Sequence, residues 1–225
     1  MNPRDYLRLQ LRLEGKDIIH EDLLRQVEVV PGEELPLMIM VQFANGEIFA
    51  GYDENLQSHL YEELTKRVRN VIFPTIDLLV DFLKTQNISF VVGHYKTYLF
   101  PAHVVDLINK DVRCLSKKDT SVQAFGFGDF AEQVYVIERD GKIASACVSV
   151  RENGQCGEAW VYTAPEYRHR GLAQKVVSTW AGNLISANKI PFYSHATENR
   201  ESANLARHLG LQPIFEEVVI SYLSN

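Results

Sequence analysis

A run of basic residues lies between a strand-like segment and a helix-like segment in the C-terminal half of the sequence. Residues 158–163, EAWVYT, are rich in β-branched and aromatic types, and they are followed by Pro165, by Arg168 and Arg170, and by a glycine that opens a long apolar pattern. The first N–H groups of a helix have no partner within the helix, and the helix dipole makes that end positive. This junction therefore predicts a site for a phosphate or a pyrophosphate.

Small residues stand at the positions of this junction that an anion would approach most closely. A bulky side chain at Gly171 or Ala173 would keep a pyrophosphate away from the backbone N–H groups. A simpler interpretation is that the same residues start an exposed helix that carries a few arginines. The strand before the junction and the helix after it favour the anion site.

Two segments of the sequence carry a family resemblance. Residues 168–173, RHRGLA, fit the pattern R/Q-x-x-G-x-G/A. Residues 199–211, NRESANLARHLGL, resemble N-x-x-S/A-x-x-L-x-x-x-x-G-F, with Leu211 in place of the final aromatic residue. In this order the two segments resemble the GNAT superfamily of acyl-CoA-dependent N-acyltransferases. Residues 161–173 also look like the glycine N-acyltransferase-like subgroup, whose members acylate small amines.

The resemblance implies an α/β (α+β) fold for residues 119–225. A GNAT-like core has a mixed, mainly antiparallel sheet with helices on both faces and a splayed parallel strand pair. Here that pair would consist of residues 158–163 and 192–196, because a helical crossover returns the chain in the same direction. A hairpin is predicted around Asp140-Gly141, where tight turns need positive φ angles.

Residues 1–118 are expected to form an N-terminal α/β subdomain. Asn45-Gly46 predicts a hairpin, and apolar periodicity predicts helices over 55–71 and 75–87. This subdomain either packs on the transferase core as a structural extension or serves as a binding domain for a protein or a regulatory ligand.

The resemblance also assigns residues to coenzyme A. The backbone near Val161 and Thr163 would pair with the pantetheine amides, and the loop would grip the pyrophosphate. Asn199 fits either the coenzyme channel or a helix N-cap. The residues implied in coenzyme binding are Val161, Tyr162, Thr163, Arg168, His169, Arg170, Gly171, Leu172, Ala173, Asn199 and Ser202.

Transfer of an acyl group from a thioester to an amine needs a group that takes up a proton and a group that stabilises the developing oxyanion. Glu158 and His195 are the candidates for the general base, and Tyr193 is a further catalytic candidate. Each has a structural alternative, since a glutamate on a strand is often a solvated edge residue and a histidine is often packed or capping.

One position departs from the family pattern. Many members carry a tyrosine directly after the leucine of the second segment, positioned to protonate the departing thiolate, and this sequence has Ala206 there. The thiolate would leave either unassisted or with the help of Tyr193 or Ser202. The missing tyrosine keeps a second interpretation open, in which the chain is a non-catalytic module that binds acyl-CoA.

The composition sets the outer limits. With 225 residues, 46% of them hydrophobic, the chain can bury a substantial core. A net charge of −6 argues against a nucleic-acid partner, because binding a phosphate backbone needs a basic surface. The expected partner is a small-molecule or peptide amine, with acetyl-CoA as cosubstrate, and a homodimer is left open.

Location and metal content are also expectations from the sequence. Residues 1–17 alternate charges with leucines, unlike a signal peptide, and no run reaches the length of a membrane span, so a cytoplasmic protein without membrane contact is expected. Cys114, Cys147 and Cys156 lack the C-x-x-C spacing of a zinc site, and no metal is expected. Cys147 is interpreted as a small buried apolar residue.

Overall fold

The chain folds into two compact units. A computed structural model describes residues 1–125 and 132–223. The first unit consists of the described residues of 1–96, 196–198 and 214–225, and the second consists of those of 97–195 and 199–213. The division into domains at residues 118 and 119 stays a prediction.

The described chain contains both helices and strands. In chain order the elements are α1 (Pro3–Leu13), β1 (Lys16–Ile19), β2 (Leu23–Gln26), β3 (Met38–Phe43), β4 (Ile48–Asp53), α2 (Ser58–Val68), α3 (Asp77–Thr85), β5 (Phe90–Leu99), β6 (Arg113–Ser116), α4 (Thr120–Phe125), β7 (Gln133–Arg139), β8 (Lys142–Glu152), β9 (Cys156–Thr163), α5 (Leu172–Ser186), β10 (Ile190–Ala196), α6 (Arg200–His208) and β11 (Pro213–Tyr222).

In the first unit, helices cover both faces of a sheet. Its strands follow the order β1-β2-β4-β3-β11. The predicted hairpin joins β3 to β4 in antiparallel pairing, and Gly46 in its turn has a φ of 83°. Successive side chains of a strand point to opposite faces, so Met38 and Met40 of β3 pack in a core with α2 and α3, whereas Ile39 and Val41 pack in another core with α1.

In the second unit, helices also cover both faces of a sheet, whose strands follow the order β10-β9-β8-β7-β6. The pairs β6–β7, β7–β8 and β8–β9 are antiparallel, and β9–β10 is parallel. Tyr135 and Ile137 of β7 face the core beneath α5, whereas Val134 and Val136 face a core that includes Val122 of α4. The mixed, mainly antiparallel fold expected from the sequence is confirmed.

The core beneath α5 is built around Trp180, which is 1% exposed. Its ring meets Phe100 edge to face at a centroid distance of 6.1 Å, and its indole Nε1 donates to Oγ of Ser149 at 2.9 Å. Cys147 of β8 is fully buried in the same core, and burial raises the pKa of its thiol well above the usual value. The interpretation of Cys147 as a core residue is confirmed.

Buried tyrosines make the stability of the protein sensitive to alkaline pH. Burial raises the pKa of Tyr52 and Tyr193 to about 12, whereas phenols in an unfolded chain ionise near pH 10. The folded state therefore holds these protons more tightly, and the stability this confers is complete below about pH 10 and is lost as the pH rises toward about 12. We expect the midpoint of thermal unfolding, followed by circular dichroism, to fall across that interval. A midpoint that stays constant there would contradict the burial of these phenols.

Candidate functional site

A groove with a volume of about 580 Å³ opens at the start of α5 in the second unit. It is bordered by the end of β9, the loop that follows, the first turn of α5, one face of α6 along its whole length, and one side chain of β10. The residues that line it are Val161, Tyr162, Thr163, Tyr167, Arg168, His169, Gly171, Leu172, Ala173, Gln174, Tyr193, Asn199, Glu201, Ser202, Asn204, Leu205 and His208.

Gly171 shapes the floor of the groove. It is the N-cap of α5 and has a φ of 71°, a left-handed conformation that side-chain-bearing residues rarely adopt. No side chain caps this helix start and its first turn has no acidic residue. The N–H of Lys175 is the first to bond back, to the carbonyl of Gly171 at 3.3 Å, so the N–H groups of the three residues before it are left for another acceptor. An uncapped helix start in a groove fits a pyrophosphate.

The two arginines of the junction take different positions. Arg168 lines the groove, where its Nε donates to the carbonyl of Thr163 at 3.2 Å and its Nη1 lies 3.0 Å from Oε1 of Glu201. Arg170 does not line the groove. Its Nη2 donates to the carbonyl of Glu166 at 3.1 Å, and its guanidinium lies over the ring of Tyr167 at 5.5 Å.

Glu201 places a negative charge in the groove. Its carboxylate holds Arg168, and both side chains are substantially exposed, at 76% and 39%. If an anion binds beside Arg168, Glu201→Gln should tighten binding of acetyl-CoA by only about 3-fold, because water and salt screen exposed charges. Calorimetric titration at low and high ionic strength would measure the gain, which should shrink at high salt.

Glu62→Gln is the matched control for this change. Glu62 is an exposed residue of α2 in the first unit and does not line the groove, so its replacement removes the same charge from a residue outside the candidate site. Binding that is unchanged or weakened by Glu201→Gln would contradict an anion site beside Arg168.

The strands β9 and β10 separate beside the groove. They pair in parallel over three residue pairs, from Ile190 with Cys156 to Phe192 with Glu158, and both strands run on past that point. The rest of β9, up to Thr163, then borders the groove. This arrangement is the splayed parallel pair expected from the sequence.

The start of α6 closes the other side of the groove. Oδ1 of Asn199 accepts a hydrogen bond from the backbone N–H of Ser202 at 3.0 Å, so Asn199 caps the helix while it also lines the groove. The hydroxyl of Tyr193 donates to the carbonyl of Ser202 at 3.3 Å. Ala206 is buried in the core beneath α5.

Glu158 stands where the pairing of β9 with β10 ends. It is 4% exposed, its Oε2 accepts from Nη2 and Nε of Arg151 at 2.7 Å and 3.0 Å, and its Oε1 accepts from the hydroxyl of Ser194. The ladder between β8 and β9 shifts register between Ser149 and Arg151, which leaves Val150 as the extra residue of a bulge. The bulge brings Arg151 directly opposite Glu158.

His195, the other candidate base, is 6% exposed near the end of β10 and lies beside Tyr98, with its Nε2 3.1 Å from the hydroxyl oxygen. Glu158 and His195 do not line the groove itself, whereas Tyr193 does. The catalytic roles of all three residues stay predictions.

The structure gathers the predicted coenzyme-binding residues in one groove, with Arg170 as the exception. The sequence interpretation missed several lining residues, most of them on α6. Helical spacing is a signal that could have found the α6 residues, because positions three and four apart share a helix face. The missed residues are Tyr167, Gln174, Glu201, Asn204, Leu205 and His208.

Neither a metal cluster nor a membrane-crossing helix occurs in the part of the chain that the structure describes. Within residues 1–125 and 132–223, no group of three or more histidine, cysteine, aspartate or glutamate side chains is arranged to hold a metal ion. No helix within those ranges has both the length and the apolar character needed to cross a bilayer.

Comparison with known proteins agrees with the fold. Residues 123–218 match the family model described as GNAT acetyltransferase. This confirms the resemblance of the C-terminal part of the chain to the GNAT superfamily, whereas the resemblance to the glycine N-acyltransferase-like subgroup stays a prediction. No curated protein matches the chain.

Solved structures of GNAT proteins share the fold. An acetyltransferase of the GNAT family from Colwellia psychrerythraea is similar over 99% of this chain and 98% of its own, with 10% identity and a TM-score of 0.51. A GCN5-related N-acetyltransferase-like protein from Streptococcus suis aligns over 99% of this chain and 100% of its own, with 12% identity and a TM-score of 0.50. A GNAT-family protein from Novosphingobium aromaticivorans aligns over 60% of this chain and 66% of its own, with 18% identity and a TM-score of 0.50.

Proposed function

We propose that the protein is an N-acetyltransferase that transfers an acyl group, most simply acetyl, from acyl-CoA to a primary amine by direct attack in a ternary complex. The observation that carries this proposal is the uncapped start of α5, with Gly171 at positive φ, inside a groove beside separating strands. The acceptor is a small molecule or a peptide that presents a primary amine.

The groove residues would hold the coenzyme. The first N–H groups of α5 and the guanidinium of Arg168 suit the pyrophosphate. The helix start carries a partial positive charge, and the guanidinium carries a full one. The edge of β9 up to Thr163 offers backbone groups to the pantetheine amides. When bound, the thioester supplies an activated acyl group, and the protein supplies its position and a way to move protons.

Proton transfer involves two kinds of side chain. Glu158 and His195 are the candidates for the base that accepts the amine proton. Tyr193 is the candidate acid for the leaving thiolate, because it lines the groove; burial raises the pKa of its phenol to about 12, so the phenol is protonated at neutral pH. In this role Tyr193 would replace the tyrosine that Ala206 does not provide.

A second candidate function is a regulatory module that binds acyl-CoA without catalysis. Two observations favour it: Ala206 carries no hydroxyl, and Glu158 is engaged by Arg151 and Ser194 rather than aimed into the groove.

Calorimetric titration of the full chain with acetyl-CoA tests what the two candidate functions share, and saturable binding at one site is the expected result. Failure to bind by a folded chain would refute both. Release of free thiol from acetyl-CoA in the presence of a panel of primary amines then separates them. Amine-dependent release supports the transferase, and binding without release supports the regulatory module.

A further inference from the structure

Three aromatic side chains, Tyr98, Tyr193 and His195, form a buried cluster in the second unit. They are 7%, 3% and 6% exposed. The imidazole of His195 stacks on the ring of Tyr98 with the centroids 5.4 Å apart, and Tyr193 lies 6.3 Å from the first ring and 6.2 Å from the second. The hydroxyl oxygen of Tyr98 is 3.1 Å from Nε2 of His195. The cluster joins a phenol to an imidazole in a place shielded from water.

The contact between Tyr98 and His195 is suited to moving a proton. A neutral imidazole has one donor and one acceptor nitrogen, and a phenol hydroxyl both donates and accepts. When Tyr98 donates to Nε2, the proton of neutral His195 sits on Nδ1. The oxygen of Tyr98 can then receive a proton while its own proton passes to Nε2. The pair gains one proton as an imidazolium, and no buried tyrosinate forms, which burial would disfavour.

The cluster adjoins the groove through Tyr193. This residue lines the groove, contacts both rings and donates its own hydroxyl to the carbonyl of Ser202. Tyr193 therefore connects the groove to the Tyr98–His195 pair. His195 also lies three residues beyond Phe192, where the pairing of β10 with β9 ends.

We propose that Tyr98 and His195 act as one proton-accepting unit in acyl transfer, an inference that rests on the proposed function. The amine nitrogen forms a bond to the acyl carbon, and the carbon–sulfur bond breaks with its electron pair on sulfur. The proton lost by nitrogen passes to the oxygen of Tyr98 as the Tyr98 proton moves to Nε2 of His195. The thiolate carries one negative charge and the imidazolium one positive charge, so the step is balanced.

The protonation of the pair can be read without any coenzyme. In the full chain with ¹⁵N-labelled histidine, at a pH where the imidazole is neutral, Nε2 of His195 should show the resonance of an unprotonated nitrogen and Nδ1 that of a protonated one. His195→Gln identifies this signal among the seven histidines. Tyr98→Phe should change the tautomer, because it removes the donor and keeps the ring. A protonated Nε2 in the neutral wild-type chain would overturn the proposal.

Rates of thiol release from acetyl-CoA with a panel of primary amines test the role of the pair in the reaction. Tyr98→Phe and His195→Gln should each slow release by about 100-fold, the range of general acid–base catalysis. The double variant should be no slower than the single ones, since both residues serve one transfer. Tyr61→Phe is the control, because its hydroxyl bonds to Asp22 at 2.9 Å in the first unit. Binding of acetyl-CoA should be unchanged in all of these variants.

The outcomes separate this inference from the proposed function. A wild-type rate in folded Tyr98→Phe would overturn the relay and leave the transferase proposal standing. A wild-type chain that binds no acetyl-CoA, or that binds it without amine-dependent release, would remove the transferase proposal and the relay with it. The tautomer of His195 would in that case still report how the pair is protonated.

Discussion

Replacement of Gly171 by glutamate should weaken binding of acetyl-CoA by at least about 100-fold, which corresponds to about 2.7 kcal/mol. Gly171 has a φ of 71° at the start of α5, and a Cβ built there would meet only Oε1 of Gln174 at 3.5 Å. A Cβ atom would therefore fit at position 171, but the room that it would occupy is part of the groove. A glutamate would fill it, bring a negative charge to the positive end of the helix, and favour a different backbone conformation. Calorimetric titration of the variant with acetyl-CoA is the measurement.

Gly46→Glu is the control for this variant. Gly46 also has a positive φ, of 83°, and a Cβ there would meet nothing within 4 Å. Gly46 lies in the β3–β4 turn of the first unit and does not line the groove, so Gly46→Glu adds a similar backbone strain and the same charge outside the candidate site. The control should lose some thermal stability and keep its affinity for acetyl-CoA. Tight binding by folded Gly171→Glu would place the anion site elsewhere.

Replacement of Trp180 by alanine should lower the free energy of unfolding by about 3–5 kcal/mol, the usual cost of removing a buried aromatic side chain. Trp180 is 1% exposed and packs against Phe100 and against side chains of β8 in the core beneath α5. The loss combines the transfer of a large apolar surface with an incompletely filled cavity, since close-packed interiors relax only in part. Urea unfolding followed by circular dichroism would measure it.

Trp180→Phe separates packing from hydrogen bonding at the same site. Phenylalanine keeps an aromatic ring against Phe100 and removes the indole donor to Ser149. Oγ of Ser149 also donates to Oε2 of Glu152 at 2.5 Å, so it keeps a partner. The expected loss is about 1–2 kcal/mol, from one hydrogen bond and a modest reduction in volume. A loss in Trp180→Ala no larger than this would mean that the ring contributes little to the core.

Local features of the site could be predicted from the sequence. The anion-binding loop depends on small residues at a helix start, and Gly171 with the following helix displays this within a few positions. The turns at Gly46 and Gly141 are equally local, because the dipeptides Asn45-Gly46 and Asp140-Gly141 by themselves favour the positive φ that a tight turn needs. Local chemistry decides such features before any long-range contact forms.

Features that depend on long-range packing escaped prediction. Arg170 was expected to add charge to the site, but its guanidinium donates to the carbonyl of Glu166 and packs over the ring of Tyr167. The sequence does not show which of two nearby arginines points away from the groove. Glu201 and His208 entered the groove only because α6 lies alongside α5, as the bond from Gln174 to the carbonyl of His208 shows.

The side chains that contact Glu158 could not be predicted from the sequence either. Its partner Arg151 lies on another strand, and strict alternation along β8 would have placed Val150 rather than Arg151 opposite it. Only the irregular pairing of β8 with β9 supplies the guanidinium that holds this carboxylate.

The bulge at Val150 leaves the ion pair between Arg151 and Glu158 independent of the residue at position 150. Many side chains could stand at position 150, because the ion pair between Arg151 and Glu158 does not use it. Without that residue, Ser149 would still lie opposite Ala159 and Arg151 opposite Glu158, so the ion pair would be kept in a regular ladder. Variation at this place in related chains should therefore include loss of the bulged residue as well as its substitution.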